Sequence, residues 1–263
     1  LRCAFEKYKD NLPKAVIVVY LYGLAANILA IREICDEYGV PLIEDAAESL
    51  GTTISGQATG TFGEYGILSF NGNKIITTSG GGMLIVNGED APTRREKALF
   101  LATQAREPAR HYEHKEIGYN YRMSNICAGI GRGQMRVLDE RIAKKRYIYE
   151  YYQKAFEGCA DIQMMPRDMY DSYSNCWLSA IQLDGDAAVR PLDIMVALEN
   201  ENIESRPVWK PMHMQPVFAD CDYIDNGKVG ESLFENGVCL PSDTKMTDED
   251  LKRICTIIRG LWK

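Results

Sequence analysis

The chain has 263 residues, enough for one large domain and a smaller one. Apolar residues make up 46% and charged residues 25%, the usual balance of a soluble globular protein. The net charge of −7 argues against non-specific binding to nucleic acid, and no apolar stretch is long enough to span a membrane. We therefore expect a cytoplasmic protein with neither a nucleic-acid nor a membrane partner.

Cysteine and histidine spacing gives no sign of a disulfide framework or a metal site. None of the eight cysteines belongs to a C-x-x-C pair, so we expect reduced cysteines in the core. His111 and His114 have the spacing of half a zinc site, but no partner ligands accompany them. The sequence has no signal peptide, and its first ten residues are typical of the end of a helix. We expect that an N-terminal portion precedes them.

The first elements form a β-α-β unit. Ala15–Val19 is a continuous apolar run, which predicts a strand buried on both faces. Ala25–Tyr38 has apolar residues at helical spacing and is followed by Gly39, a common helix terminator. A second strand is predicted over Pro41–Glu44. Such a unit is expected to have parallel strands.

Further strands and helices are predicted along the rest of the chain, and they become shorter after residue 157. Strands are predicted near Gly66–Phe70 and Met83–Val86, a helix over Glu89–Ala102, a loop over Arg106–Tyr121 and a helix over Ser124–Phe156. From residue 158 onward the elements are shorter, which predicts a large domain over 1–157 and a small α+β domain over 158–263. Its predicted elements are strands at Trp177–Leu183 and Ile203–Val208 and helices at Pro191–Asn200 and Thr247–Lys263.

Lys74 is the strongest candidate for a catalytic residue. It lies between two predicted strands, where loops of an α/β fold carry ligand-binding groups, and a glycine cluster, Gly80-Gly-Gly82, follows it. A lysine there could form a Schiff base with a ring cofactor. The alternative is an ordinary loop lysine.

Two carboxylates and a serine accompany this lysine in the pattern. Asp45 ends a predicted strand and could pair with the nitrogen of the ring, or it could cap a helix. Glu48 could contact the ring hydroxyl, or it could complete a capping box. Ser69 could donate its hydroxyl to a phosphate, beside the tight turn Asn71-Gly-Asn73.

Six motifs occur in order along the chain. They are Leu21-Tyr-Gly23, Glu44-Asp-Ala-Ala-Glu-Ser-Leu-Gly51, Ser69-Phe-x-x-x-Lys74 with Gly80-Gly-Gly82, Gly118-Tyr-Asn-Tyr-Arg-Met-Ser124, Pro211-x-His213-x-x-Pro-Val-Phe218 and Cys239-Leu-Pro-Ser242. Together, over nearly the whole chain, they resemble the DegT/DnrJ/EryC1/StrS sugar aminotransferases.

The resemblance implies a type I aspartate-aminotransferase-like α/β fold, with a mostly parallel sheet in the large domain and a small α+β C-terminal domain. It implies pyridoxal 5′-phosphate (PLP) as cofactor and glutamate and a nucleotide-linked keto sugar as substrates. By the motif match, Lys74 is the Schiff-base lysine, Asp45 pairs with the pyridine nitrogen, Glu48 lies near the ring oxygen and Ser69 contacts the phosphate. Asn120 matches a residue that enters the partner subunit's phosphate site, which implies a homodimer with shared active sites.

A finer resemblance is to the 4-aminotransferases of the bacillosamine type, which act on a UDP-linked 2-acetamido-4-keto-2,4,6-trideoxyglucose and serve glycan biosynthesis. Cationic candidates for contacts with the substrate diphosphate are Arg122, Arg206 and His213, although each could be an ordinary surface or structural charge. The family's phosphate loop lies N-terminal to the matched region. A catalytically incomplete paralogue or fragment, serving in dimerisation or regulation, is therefore the alternative function.

Overall fold

The computed structural model describes residues 1–225 and 227–262. These residues form two compact units. The first contains Tyr8–Asp139 and Asp168–Ser174, and the second contains Arg2–Lys7, Glu140–Arg167 and the chain from Asn175 onward. The units therefore divide the chain near residue 139. The predicted domain boundary between residues 157 and 158 stays a prediction.

Eight α-helices and eleven short strands lie within the described residues. The helices are α1 Arg2–Lys7, α2 Ile28–Tyr38, α3 Ala91–Ala102, α4 Asn125–Met135, α5 Leu138–Ala155, α6 Pro191–Glu199, α7 Val229–Asn236 and α8 Asp248–Arg259. The strands are β1 Val16–Val19, β2 Leu42–Asp45, β3 Thr53–Ile54, β4 Gln57–Ala58, β5 Tyr65–Ser69, β6 Gly82–Val86, β7 Ile162–Met164, β8 Ser172–Tyr173, β9 Ser179–Leu183, β10 Arg206–Pro207 and β11 Gly237–Leu240.

The main sheet of the first unit has the order β1-β2-β5-β6. β1, β2 and β5 are parallel and β6 is antiparallel to β5, so the predicted parallel β-α-β unit is confirmed. In the register of the sheet, Val19 lies beside Asp45, and Asp45 lies beside Ile67. The carboxyl ends of β2 and β5 therefore meet at one edge, where parallel sheets place ligand-binding side chains.

The prediction that the first strand is buried on both faces is wrong. Within the described part of the chain β1 is an edge strand, and its side chains alternate in exposure. Ile17 is 63% exposed and Val19 is 48% exposed. A continuous apolar run therefore did not distinguish a central strand from an edge strand, because both present the same sequence.

Helix boundaries follow local capping. α2 begins after Asn27, whose side chain accepts a hydrogen bond from the backbone of Ala30, and it ends at Gly39 in the left-handed conformation. The single helix predicted over Ser124–Phe156 is instead α4 and α5, separated by Arg136 and Val137. Ser124 caps α4 through a bond from the backbone of Cys127.

The second unit contains an antiparallel sheet of order β10-β11-β9-β7. Apolar side chains from α5, α6, α8 and this sheet form its core, including Ile148, Tyr152, Ile194, Leu198, Val238 and Ile254. Thr247 caps α8 in a capping box with Asp250. The predicted last helix ends at Arg259, followed by a 3₁₀ turn over Gly260–Trp262, and Lys263 lies outside the described residues.

Two further observations bear on the expectations from composition. Among the described helices, none combines the length and apolar character needed to cross a membrane. The cysteines are not all in the core, because Cys3 and Cys221 are exposed while Cys35, Cys176, Cys239 and Cys255 are buried.

Candidate active site

Lys74 lies on the loop that joins β5 to its antiparallel neighbour β6. The loop is closed at its base by a hydrogen bond from the backbone of Phe70 to the carbonyl of Gly81, at 2.9 Å. Thr78 donates its backbone N–H to the carbonyl of Phe70 at 2.9 Å, and Lys74 closes a turn with Asn71 at 3.1 Å. These bonds hold Lys74 beside the carboxyl ends of the parallel strands.

The Lys74 amine faces a buried carboxylate. Its Nζ atom lies 3.4 Å from Oε1 of Glu48, which is 26 residues away in the chain. The Lys74 side chain is 12% exposed and the Glu48 side chain 5% exposed. An amine and a carboxylate held together with so little water interact more strongly than an exposed pair does.

Glu48 also accepts a backbone hydrogen bond, from Tyr22 to Oε2 at 2.8 Å. Burial raises the pKa of its carboxyl, and the nearby negative charge of Asp45 acts in the same direction. The Tyr22 N–H and the Lys74 ammonium oppose that rise. The residues directly after Asp45 form turns and not a helix, so the capping-box interpretation of Glu48 is wrong.

Asp45 ends β2 and is half-buried. Its Oδ1 accepts a hydrogen bond from the backbone of Ala47 at 3.1 Å, which closes a turn rather than the first turn of a helix. The helix-cap interpretation is therefore wrong. Within the described part of the chain, Oδ2 accepts no hydrogen bond, so this oxygen can receive a proton donor from a ligand.

Ser69 ends β5, two strand positions beyond Ile67, the register partner of Asp45. Its Oγ accepts a long hydrogen bond from the backbone of Asn71 at 3.4 Å. The hydroxyl proton remains able to donate to an anion. Asp45, Glu48, Ser69 and Lys74 thus lie on neighbouring strand ends and on the loops that follow them.

Glu44 is a residue of this region that the sequence analysis did not identify. It is fully buried, and its two oxygens accept four hydrogen bonds. The Tyr20 hydroxyl donates at 2.6 Å and the backbone of Gly60 at 2.8 Å to Oε2, while Phe62 and Gly63 donate at 2.6 and 2.7 Å to Oε1. Together, burial and hydrogen bonding to Glu44 raise the pKa of Tyr20. A carboxylate inside an apolar strand was the available signal.

Asn120 and Arg122 lie in the first unit on an exposed segment. The backbone of Asn120 pairs with Thr103 in an isolated β-bridge, and the rings of Tyr119 and Tyr121 stack with centroids 4.9 Å apart. The side chains of Asn120 and Arg122 are exposed to solvent.

Arg206 and His213 belong to the second unit. Arg206 is exposed and pairs with Glu204, its Nε lying 2.7 Å from Oε1. The His213 ring stacks on Tyr223 with centroids 3.7 Å apart, and its Nε2 lies 3.2 Å from Oε1 of Glu231. Both cationic candidates thus already contact carboxylates of their own unit.

Comparison with known proteins gives a consistent result. The model of the DegT/DnrJ/EryC1/StrS aminotransferase family matches residues 5–259. A putative pyridoxal phosphate-dependent aminotransferase, EpsN of Bacillus subtilis (strain 168), is 51% identical over 267 residues, which is 100% of this chain and 67% of the relative. A GDP-perosamine synthase of Vibrio cholerae is 37% identical over 94% of this chain and 66% of its own length.

A solved aminotransferase structure has a fold similar to that of this chain. The aminotransferase TlmJ from Streptoalloteichus hindustanus superposes with a TM-score of 0.85 and 25% identity, over 96% of this chain and 67% of that one. The chain thus spans about two thirds of the length of the proteins it matches.

The α/β fold with a mixed sheet and its match to a solved aminotransferase define the class as a type I aminotransferase. The chain belongs to the DegT/DnrJ/EryC1/StrS aminotransferase family. This is a family of enzymes, and PLP is the cofactor of the class.

Proposed function

We propose that this chain binds PLP at the carboxyl ends of β2 and β5 and transfers an amino group from glutamate to a keto group of a nucleotide-linked deoxysugar. The observation that carries the proposal is the contact between the Lys74 amine and Glu48 beside Asp45. Family membership supports the reaction class, and the Vibrio cholerae relative is named for a nucleotide-linked amino sugar.

The donor set fits the cofactor. The Oδ2 of Asp45 suits a protonated pyridine nitrogen, and the Ser69 hydroxyl suits a phosphate oxygen. The backbone of the Asn71–Asn73 turn, which has open space around Gly72, can approach the same anion. When bound, PLP supplies an electron sink for a negative charge that develops on the substrate carbon.

In this proposal Lys74 has two tasks. Its Nζ would hold the cofactor in the resting enzyme and would carry a proton from and to the substrate carbon. Glu48 holds Nζ in place through the 3.4 Å contact. Because both side chains are largely buried, bulk water has little access to the amine during this transfer.

The finer parts of the proposal concern the substrate and the cell. We assign the amination to carbon 4 of the sugar, as in the bacillosamine-type enzymes, and the product to glycan or glycoconjugate biosynthesis in the cytoplasm. Arg122, Arg206 and His213 are proposed to contact the substrate diphosphate. Arg206 would have to exchange its contact with Glu204 for this role.

We also propose a homodimer in which Asn120 reaches the partner's phosphate site. The support is an exposed apolar stretch around Asn120 that ends in the first turn of α4. Ile117 is 87% exposed, Tyr121 75% and Ile126 78%. Apolar side chains exposed so closely along one segment are typical of a protein–protein interface.

The decisive experiment is to add PLP to the full chain, reduce the mixture with borohydride and map the modified peptide by mass spectrometry. The expected label is on Lys74, together with a visible absorbance band that Lys74→Ala abolishes. Lys97→Ala, which removes an exposed lysine of the same unit, is the control and should retain both signals.

An unchanged visible absorbance band in Lys74→Ala would refute the proposal that Lys74 binds PLP. Absence of saturable PLP binding to the wild-type chain would favour the alternative, a non-catalytic dimerisation or regulatory module. Incubation of the loaded protein with glutamate and a panel of 3-keto and 4-keto nucleotide sugars, followed by mass spectrometry, then identifies the carbon that is aminated.

A further inference from the structure

The Leu21–Gly23 turn has an unusual backbone. Tyr22 has φ 58° and ψ 14°, and Gly23 follows with φ 85°. The left-handed region suits glycine, but it costs a bulky residue such as tyrosine free energy. Tyr22 is nevertheless buried in this conformation. Strain of this kind persists only where surrounding contacts impose it.

Two buried hydroxyls converge on this turn. Thr52 Oγ1 donates a hydrogen bond to the carbonyl of Gly23 at 2.9 Å, and Ser174 Oγ donates to the same carbonyl at 2.8 Å. Thr52 lies 29 residues and Ser174 lies 151 residues from Gly23 along the chain. One carbonyl oxygen therefore uses both of its lone pairs to hold the turn against two distant segments.

The strained residue faces the candidate active site. With the turn in this conformation, the backbone N–H of Tyr22 donates to Oε2 of Glu48 at 2.8 Å. The other oxygen of Glu48, Oε1, contacts Nζ of Lys74 at 3.4 Å. A continuous series of polar contacts thus runs from the two hydroxyls, through the turn and Glu48, to the amine.

We propose that Thr52 and Ser174 are positioning residues that fix the Leu21–Gly23 turn so that Tyr22 holds Glu48 against Lys74. In this proposal both hydroxyls act on the amine through Glu48. The catalytic meaning of this inference rests on the proposed role of Lys74, but the arrangement itself is testable without any cofactor.

The test is the rate at which Lys74 is methylated by formaldehyde and cyanoborohydride under native conditions, followed by peptide mass spectrometry. Because the contact with Glu48 protects the amine, we expect Thr52→Val and Ser174→Ala each to raise this rate about fivefold, as for loss of one net hydrogen bond. Thr52→Ser keeps the hydroxyl and should restore the wild-type rate.

Two controls separate positioning from general loosening of the fold. Thr103→Val removes a partly buried hydroxyl of the same unit, one that donates to the carbonyls of Leu99 at 2.8 Å and Phe100 at 3.2 Å rather than to Gly23. Any loss of stability in this variant should leave Lys74 methylation unchanged. In a Glu48→Gln background Thr52→Val should have no further effect on the rate, because the effect passes through the carboxylate.

The proposal is overturned if Thr52→Val accelerates methylation equally in the wild-type and Glu48→Gln backgrounds, or does not accelerate it in either. It is also overturned if Thr103→Val gives the same acceleration. Failure of PLP labelling at Lys74 would refute the proposed function and leave this cofactor-free result unaffected.

Discussion

Glu44 shows how a single residue can organise the edge of the sheet on which the candidate site lies. Its side chain gathers the Tyr20 hydroxyl and three backbone N–H groups of the Gly60–Gly63 loop. The next residue in β2 is Asp45, so this carboxylate anchors the strand end that carries the proposed ligand of the pyridine nitrogen. Four donors on two oxygens leave no place for a donor on residue 44.

Replacing Glu44 with Gln should therefore destabilise the protein more than removing one of its donors does. Glu44→Gln places an N–H₂ group against donors in a buried site, and we expect a loss of about 2–4 kcal/mol in the free energy of unfolding. Tyr20→Phe removes one donor and should cost about 1–2 kcal/mol. Urea denaturation measures both, and equal losses would contradict the proposed network.

Lys145 of α5 is a second buried charge, in the core of the second unit. Its amine donates to the carbonyl of Trp177 at 2.8 Å and to the carbonyl of Ser242. Burial lowers its pKa from 10.5 to about 8, with Arg141 acting in the same direction and the nearby Asp243 opposing it. The folded state therefore releases this proton at lower pH than the unfolded chain does.

The free energy of unfolding should therefore rise with pH in the range where Lys145 is deprotonated only in the folded state. Below pH 8 both states bind the proton, and the cost of burying the charge is fully present. Between about pH 8 and 10.5 only the unfolded state keeps it, so stability gains up to about 3 kcal/mol from this residue. Wild type should therefore gain stability relative to Lys145→Met as pH rises from 7 to 10 in urea denaturation. A stability difference between the two proteins that stays constant with pH would contradict this prediction.

At the scale of elements, α4 shapes the loop that carries Lys74. A Cβ atom added at Gly131 would lie 2.9 Å from Cγ2 of Thr78, whereas one at Gly133 meets nothing within 4 Å. Thr78 cannot easily yield, since its N–H bonds the carbonyl of Phe70 and its hydroxyl bonds the carbonyl of Gly80. The glycine at 131 thus permits close packing of the helix against the loop.

The two glycines make a matched pair of substitutions. Gly133→Ala should stabilise the protein by about 0.5–1 kcal/mol through helix propensity alone. Gly131→Ala should lose that gain to the contact with Thr78 and also slow PLP labelling of Lys74. Thermal unfolding and borohydride trapping measure the two effects. Equal behaviour of the two variants would show that α4 does not constrain the loop.

The sequence predicted individual helices and strands better than it predicted which residues contact one another in the folded chain. The periodicity of α2 and the short apolar strands were sufficient for the β-α-β unit, and the motifs correctly placed Asp45 at a strand end and Lys74 on the loop between two strands, while the roles of these residues stay predictions. The contact between Lys74 and Glu48 and the bonds to Glu44 could not be predicted, because they join residues 16 to 26 positions apart through tertiary folding. The edge placement of β1 could not be predicted either, because periodicity does not encode the position of a strand in its sheet.

For the whole molecule, the question is how many copies make one functional site. The exposed apolar residues that flank Asn120 lie in the first unit, on the segment before α4 and on its first turn. Covering them with a second copy would remove apolar area from water, which favours association. It would also bring the exposed Asn120 next to another chain, as its proposed role requires.

A charge placed in that surface should separate the copies. The wild-type chain should sediment as a dimer of about twice its 29.6 kDa, and Ile126→Glu should shift it toward the monomer, because an unpaired carboxylate is costly to bury in an apolar interface. Leu192→Glu is the matched control. Leu192 is a 64%-exposed apolar residue on α6, in the second unit, and its substitution should leave the dimer intact.

Sedimentation equilibrium distinguishes a dimer from a monomer, and measurement of PLP binding shows whether the oligomeric state affects the candidate active site. If the dimer shares its sites, Ile126→Glu should weaken PLP binding in proportion to dissociation, and high protein concentration should restore it by mass action. Asn120→Ala should weaken PLP binding while the dimer persists. A monomeric wild type that binds PLP with unchanged affinity at all concentrations would contradict a shared site, since Asn120 could then serve only its own chain.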